Sequence, residues 1–114
     1  MDRIELARSA ALTAEEHQAT GIILLDIREL TPFADFFVIC NGTSERQIRA
    51  IGDAVEEALR PHVDKPPRRE GTAGSGWYLL DYGDVIVHIF SPEQRDFYRL
   101  ERLWERGKTL LTLQ

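Results

Sequence analysis

The sequence has one cysteine, no apolar run long enough to span a bilayer, and no excess of basic residues. The lone cysteine, Cys40, excludes an internal disulfide and is typical of a reducing compartment. A membrane-spanning helix needs about 20 consecutive apolar residues. The N-terminal segment carries Asp2, Arg3 and Glu5 without a long apolar core, which is unlike a secretory signal. We therefore predict a cytoplasmic protein that makes no membrane contact.

Acidic residues outnumber basic ones by 19 to 14, so the net charge is -5. A protein that binds nucleic acid through its phosphates needs a basic face and usually a basic total. Little direct nucleic-acid contact is therefore expected. A basic protein is the kind of partner that this composition favours, because opposite potentials steer encounter.

The spacings of common metal and catalytic sites are also missing. The three histidines, His17, His62 and His88, show no metal-ligand spacing, and no second cysteine is present. The sequence contains no Walker loop, nucleophile elbow or dinucleotide fingerprint. Cys40 closes an apolar run and is expected to be a buried core residue. We predict no metal site, no cofactor and no catalytic residue.

One enzymatic alternative stays open. The turn Gly42-Thr43-Ser44 precedes a helix and could hold a phosphate. Four aspartates could gather at strand ends as a metal-binding cluster: Asp26, Asp35, Asp81 and Asp84. The chain could then be a small nucleotidyltransferase-like or phosphate-binding enzyme. Such sites use two acidic residues alternating on one strand, and turn formation explains Asp81 and Asp84 more simply.

Periodicity and turn signals predict a single α/β (α+β) domain over residues 1–106. Helices are predicted at residues 2–19, from Ser44 to Pro61, and from Ser91 to Gly107; both serines begin a capping box. Strands are expected at 22–27, 36–40 and in a hairpin at 77–90. Residues 65–71 are predicted as an edge segment, 72–76 as a mobile loop and 107–114 as a frayed tail. The result is a mixed sheet of four or five strands flanked by helices.

The hairpin is the most informative stretch. Asp81-Tyr82-Gly83-Asp84 separates two apolar runs, as a tight turn requires. His88 is expected inside the hairpin, or paired with Asp81 or Asp84. Trp77 and Tyr82, with Arg95 and Tyr98 in the next helix, are residue types that dominate binding hot spots. Whether Trp77 belongs to the core or to a docking surface stays open at this point.

These residues together resemble the ribosomal silencing factor family (RsfS, also called Iojap). The resemblance rests on residues 77–90, on Asp35, on the turn 40–44, on Glu70-Gly71, and on a helix with Arg95, Tyr98, Leu100-Glu101 and Leu103-Trp104. It covers about residues 4–104.

The resemblance implies a binding protein with a nucleotidyltransferase-like topology and no enzymatic activity. Such a protein attaches to the large ribosomal subunit through the universal large-subunit protein L-fourteen. It blocks joining of the small subunit and thereby lowers translation, and it is a homodimer when free. The docking residues carried over are expected to cluster around one hairpin end: Trp77, Asp81, Tyr82, His88, Arg95 and Tyr98.

Overall fold

A six-stranded mixed sheet forms the centre of the fold in a computed structural model, which describes residues 1–99, 102 and 105–114. The strand order is β3-β4-β5-β2-β1-β6, and only β2 and β5 run parallel. The mixed sheet was predicted, but the expected count of four or five strands is wrong. The strands are β1 (Thr20–Asp26), β2 (Phe36–Asn41), β3 (Arg68–Thr72), β4 (Trp77–Asp81), β5 (Val85–Phe90) and β6 (Lys108–Leu113).

Helices α1 (Arg3–Glu16) and α2 (Glu45–Leu59) pack on one face of the sheet and against each other. The close approach of α1 follows from its fully buried small residues, Ala7, Ala10, Ala11 and Ala14. The predicted helix from Ser44 is present as α2, and its apolar residues at helical spacing are buried: Ile48, Ile51, Val55 and Leu59. These two helices cover the main core. No helix in the described part of the chain is long and apolar enough to cross a lipid bilayer.

The start of α2 is capped as predicted, with one difference. The Ser44 hydroxyl accepts the Gln47 backbone N–H at 3.1 Å. The Gln47 side chain reaches back to Thr43 rather than to Ser44, because its Oε1 accepts the Thr43 N–H at 2.6 Å. Its amide also donates to the Gln18 carbonyl at 2.9 Å. The cap therefore ties the start of α2 to the chain that follows α1.

The C-terminal segment differs from the prediction. Residues 108–113, expected within a frayed tail, form the edge strand β6, which pairs antiparallel with β1. Leu111 and Leu113 pack against the main core. The strand adds an edge to the same sheet.

The third helix, α3 (Pro92–Tyr98), is shorter than predicted. It ends where Arg99 adopts a left-handed conformation, with φ of 45°. Leu100, Leu103 and Trp104, which belong to the helix predicted up to Gly107, lie outside the described residues, as does the side chain of Phe97.

Residues 72–76, expected as a mobile loop, have regular structure. They form a short 3₁₀ turn at Ala73–Ser75, capped by the Thr72 hydroxyl, which accepts the Ser75 N–H at 3.1 Å. Gly76 ends this turn with φ of 82°. The turn leads directly into Trp77 and fixes the point at which β4 begins.

Candidate docking surface

The sheet face opposite α1 and α2 carries a second apolar cluster. Its buried members are Leu25, Ile27, Ala34, Phe37, Ile39 and Phe90. Side chains alternate along strands, so Leu79 lies on the same face as Trp77. We call five half-buried apolar residues of this face the apolar row: Ile23, Leu30, Trp77, Leu79 and Ile86. The row crosses strands β1, β4 and β5.

Aromatic rings gather at the Trp77 end of this row. The Trp77 ring stacks on Phe90, with centroids 5.1 Å apart, and meets the Tyr98 ring at 4.4 Å. His88 lies beside them and meets the edge of Phe37 at 4.7 Å. Tyr98 keeps 42% of its surface exposed, whereas Phe90 is fully buried. The cluster thus runs from the core to the surface through Trp77.

His88 is held inside this cluster by a hydrogen bond. The Trp77 indole N–H donates to Nδ1 of His88 at 3.1 Å. Burial lowers the pKa of His88 to about 4, so the ring is neutral near pH 7. The alternative pairing of His88 with Asp81 or Asp84 is therefore wrong, because its partner is Trp77.

The turn end of the hairpin is separate from this cluster. Trp77 and Asp81 are the two ends of β4, and about 3.3 Å per residue places their Cα atoms roughly 13 Å apart. The Asp81 carboxylate accepts the Gly83 N–H at 2.7 Å, as a turn aspartate does. Tyr82 packs on the other side of the sheet, against the main core. The expectation that all six residues surround one hairpin end is therefore wrong.

Tyr82 lies beside α2, not on the apolar row. Its hydroxyl is buried and has no hydrogen-bond partner among the described residues. Burial raises the pKa of Tyr82 to about 12. A cavity of about 600 Å³ adjoins it, lined among others by Arg3, Lys65 and Arg68.

Arg95 lies at the same sheet end as the aromatic cluster and joins separate elements. Its guanidinium donates to the Gly21 carbonyl and, at 3.0 Å, to the Asn41 side-chain oxygen. It therefore ties α3 to the start of β1 and the end of β2. Gly21 suits this close approach, since it has φ of 57° and a Cβ there would lie 3.0 Å from the guanidinium.

The enzymatic alternative is not assembled. The Thr43 N–H and hydroxyl are both bonded to Gln47, and the Gly42 N–H donates to the Phe90 carbonyl. Asp35 stands at the start of β2 and the Gly42 turn at its end, about 20 Å apart at the strand rise. Among residues 1–99, 102 and 105–114, no three His, Cys, Asp or Glu side chains are grouped as metal ligands.

The aspartates of that alternative are instead engaged locally. Arg28 clasps the Asp26 carboxylate with two bonds, at 3.0 and 2.7 Å, and this hydrogen bonding lowers the pKa of Asp26. Arg3 approaches Asp35 at 2.6 Å. Cys40 is buried as predicted, and burial raises the pKa of its thiol to about 12, so it is not a nucleophile near pH 7.

Sequence reasoning missed Phe33, which is 87% exposed. It lies in the connection between β1 and β2, three residues after Leu30 of the apolar row. An aromatic residue directly after Pro32 in a polar connection was the available signal. Leu79 and Ile86 were also missed as surface residues, although strand alternation already placed Leu79 on the Trp77 face.

Comparisons with known proteins give a consistent result. A family model described as ribosomal silencing factor during starvation matches residues 1–113. The ribosomal silencing factor RsfS of Halalkalibacterium halodurans is 34% identical over 110 residues, covering 96% of this chain and 94% of that protein. A mouse protein named mitochondrial assembly of ribosomal large subunit protein 1 is 29% identical, over 78% of this chain and 40% of its own length.

The fold agrees as well. A crystal structure of a protein from Chromobacterium violaceum superposes with a TM-score of 0.87 at 31% identity, covering 100% of this chain and 94% of that one. The family model, the curated relative and the solved structure each match nearly the whole chain. The names of the matching family and its members denote ribosome association and translation regulation. The chain therefore belongs to the ribosomal silencing factor family.

Proposed function

We propose that this protein represses translation by binding the large ribosomal subunit through the apolar row and the aromatic cluster beside it. The observation that carries the proposal is the row itself, five half-buried apolar residues on the sheet face opposite α1 and α2. An apolar patch with a polar rim is typical of a protein-binding surface. Family membership supports the ribosome as the binding partner.

Within the large subunit, a basic ribosomal protein is the favoured contact. The net charge of -5 opposes a dominant phosphate contact and favours a positively charged protein. The resemblance to the family points to the universal large-subunit protein L-fourteen. The name of the mouse relative, which refers to the large subunit, supports the choice of subunit.

The mechanism proposed is steric and needs no chemical step. A bound domain occupies surface that the small subunit needs when the two subunits join. Trp77 and Tyr98 serve as aromatic anchors, which commonly contribute the largest share of binding free energy. Trp77 is half-buried and already packed on Phe90, so little side-chain freedom is lost when it docks. Such action takes place in the cytoplasm, and the free protein is proposed to be a homodimer.

The test is cosedimentation with isolated large subunits. Trp77→Ala and Leu79→Arg should each weaken binding by roughly 30-fold or more, the range of a hot-spot residue. The matched control is Leu12→Arg, because Leu12 is a 43% exposed apolar residue on α1, which packs on the opposite sheet face.

Circular dichroism should show that all three variants are folded. Loss of binding in the Leu79→Arg variant alone would still support the proposal if Trp77→Ala unfolds the protein. Binding equal to the wild type in folded Trp77→Ala and Leu79→Arg would refute it. Trp77→Ala and Leu79→Arg, added to a mixture of small and large subunits, should also fail to prevent the two subunits from associating. A separate measurement, the native mass of the free protein, tests whether it is a homodimer.

A further inference from the structure

We propose that His88 is a positioning residue, which fixes the Trp77 indole in the orientation used for docking by accepting its N–H. This inference rests on the proposed function. It replaces direct partner contact, the role expected for His88 from the sequence, with an indirect one. The observations behind it are the hydrogen bond, the burial of His88 and the packing of the two rings.

Strand register brings the two side chains together. His88 lies opposite Leu79 across the β4–β5 pair, and Trp77 is two residues from Leu79 on the same face. This diagonal position is within reach of an aromatic side chain. The ring centroids are 6.0 Å apart, and the indole nitrogen is 3.1 Å from His88 Nδ1. A tight turn sets this register, so the pair is built into the hairpin.

His88 is too enclosed to touch a docking partner itself. Only 5% of its surface is exposed, against 42% for Tyr98. Phe37 and Phe90 cover its ring, at 4.7 and 6.2 Å between centroids. An effect of His88 on docking must therefore pass through a neighbour that is exposed, and Trp77 is the neighbour to which it is hydrogen-bonded.

The hydrogen bond requires one protonation state of the imidazole. Nδ1 accepts only when it carries no proton, so the single proton of the neutral ring lies on Nε2. The described residues that pack on the ring from β2 and β4 are uncharged: Phe37, Ile39, Leu79 and Trp77. None of them favours the imidazolium form.

Three contacts together define the indole orientation. Phe90 stacks on the ring at 5.1 Å and Tyr98 approaches it at 4.4 Å, which restricts its tilt. These two contacts alone would allow the indole to rotate by about half a turn about its Cβ–Cγ bond between Phe90 and Tyr98. The bond to His88 distinguishes the two edges of the indole and so selects one. Preorganisation of this kind raises affinity by lowering the ordering cost of binding.

Two substitutions distinguish the effect of the hydrogen-bond acceptor at Nδ1 from the effect of the side-chain volume of His88. In His88→Asn, the side-chain oxygen stands where Nδ1 stood and can accept the indole N–H. In His88→Gln, the oxygen stands nearer the position of Nε2, on the far side of the ring. We expect His88→Gln and His88→Phe to weaken cosedimentation with large subunits roughly 5- to 30-fold, as for about 1–2 kcal/mol. His88→Asn should bind within about 3-fold of the wild type.

A merely structural role is excluded by combining substitutions. Trp77→Phe removes the donor, so replacing His88 by Phe in that background should produce no additional loss of affinity. An equal loss in both backgrounds would overturn the proposal, because His88 would then act independently of the indole.

A spectrum of the free protein keeps this inference distinct from the proposed function. With Trp104→Phe as background, the ¹H–¹⁵N spectrum has one indole signal, from Trp77. That signal should shift upfield in His88→Phe and keep its position in His88→Asn. An unchanged signal in His88→Phe overturns the inference whatever the binding result. Wild-type affinity of His88→Phe, when Trp77→Ala does not bind, also overturns it and leaves the proposed function standing.

Discussion

Acid should destabilise this protein through His88, and the effect can be isolated by one substitution. Burial lowers the pKa of His88 from 6.5 to about 4 in the folded protein. Protonation therefore favours the unfolded chain, in which the histidine is hydrated. The contribution of the neutral, buried ring is fully present above pH 6.5. It is lost as the pH falls from 6.5 to about 4.

The size of the effect follows from linkage. One pKa unit corresponds to about 1.4 kcal/mol, so the full difference amounts to about 3 kcal/mol of unfolding free energy. About 1 kcal/mol of this is lost between pH 7 and pH 5.5, and about 2 kcal/mol by pH 4.5. A domain of ordinary stability has about 5–15 kcal/mol in total, so the loss is readily measured.

Urea unfolding, followed by far-ultraviolet circular dichroism at about pH 7, 5.5 and 4.5, measures these free energies. Carboxylates also titrate in this range, so the informative quantity is the wild type minus His88→Phe. This difference should decline by about 2 kcal/mol as the pH falls to about 4.5. His62→Gln, which replaces an exposed histidine, is measured alongside as the comparison for loss of a histidine as such. Parallel pH curves for the wild type and His88→Phe would refute the reasoning.

Two further predictions concern the fold. Gly71→Ala should lower the free energy of unfolding by well over about 1 kcal/mol. The reason is that φ is 73° and the added Cβ would clash with the Trp77 carbonyl oxygen. Gly83→Ala is the matched control, because Gly83 has φ of 89° and no atom lies within 4 Å of an added Cβ. Urea unfolding of this variant should show only the backbone strain, a loss of about 1–2 kcal/mol of unfolding free energy. Deleting residues 108–114 should lower the free energy of unfolding by about 2 kcal/mol or more, because the deletion exposes the edge of β1 and removes the packing of Leu111 and Leu113. Unfolding midpoints equal to the wild type after that deletion would contradict the role assigned to β6.

Elements with local signals were predictable from the sequence. The turn at Asp81-Tyr82-Gly83-Asp84 carries its own chemistry, since Asp81 bonds the Gly83 N–H and Gly83 takes φ of 89°. The register of β4 and β5 then follows from the turn. The serine caps of α2 and α3 were predictable for the same reason, because each bond lies within one helical turn.

Strand β6 could not be predicted in this way. Its pairing with β1 joins residues more than about 80 positions apart, and no local motif encodes it. Three leucines in a short polar context fit an edge strand as well as the frayed end of a helix. The turn at Ala73–Ser75 was missed for another reason: small residues usually indicate a flexible segment, and the order here comes from Thr72 bonding to Ser75.

The spatial arrangement of the candidate site residues could not be predicted from their spacing in the sequence. Trp77 and Tyr82 are close in sequence, but an extended strand separates them and they lie on opposite sides of the sheet. The bond between Trp77 and His88 depends on ring orientation, which alternation alone does not provide. Burial does not decide between core and docking surface for Trp77, since its side chain is half-buried.

Residues at the two ends of β4 can belong to one docking interface if that interface is large enough. A specific interface buries about 800 Å² on each partner and involves about 20–30 residues a side. The apolar row has five members, all half-buried, so the docking footprint proposed for it would need further residues around the row. Centred on the row, as proposed, a footprint of that size would reach past both ends of β4. It would then include Tyr98 at one end, with Asp81 and the 87% exposed Phe33 towards the other. Tyr82 would stay outside it, because the sheet lies between Tyr82 and the row.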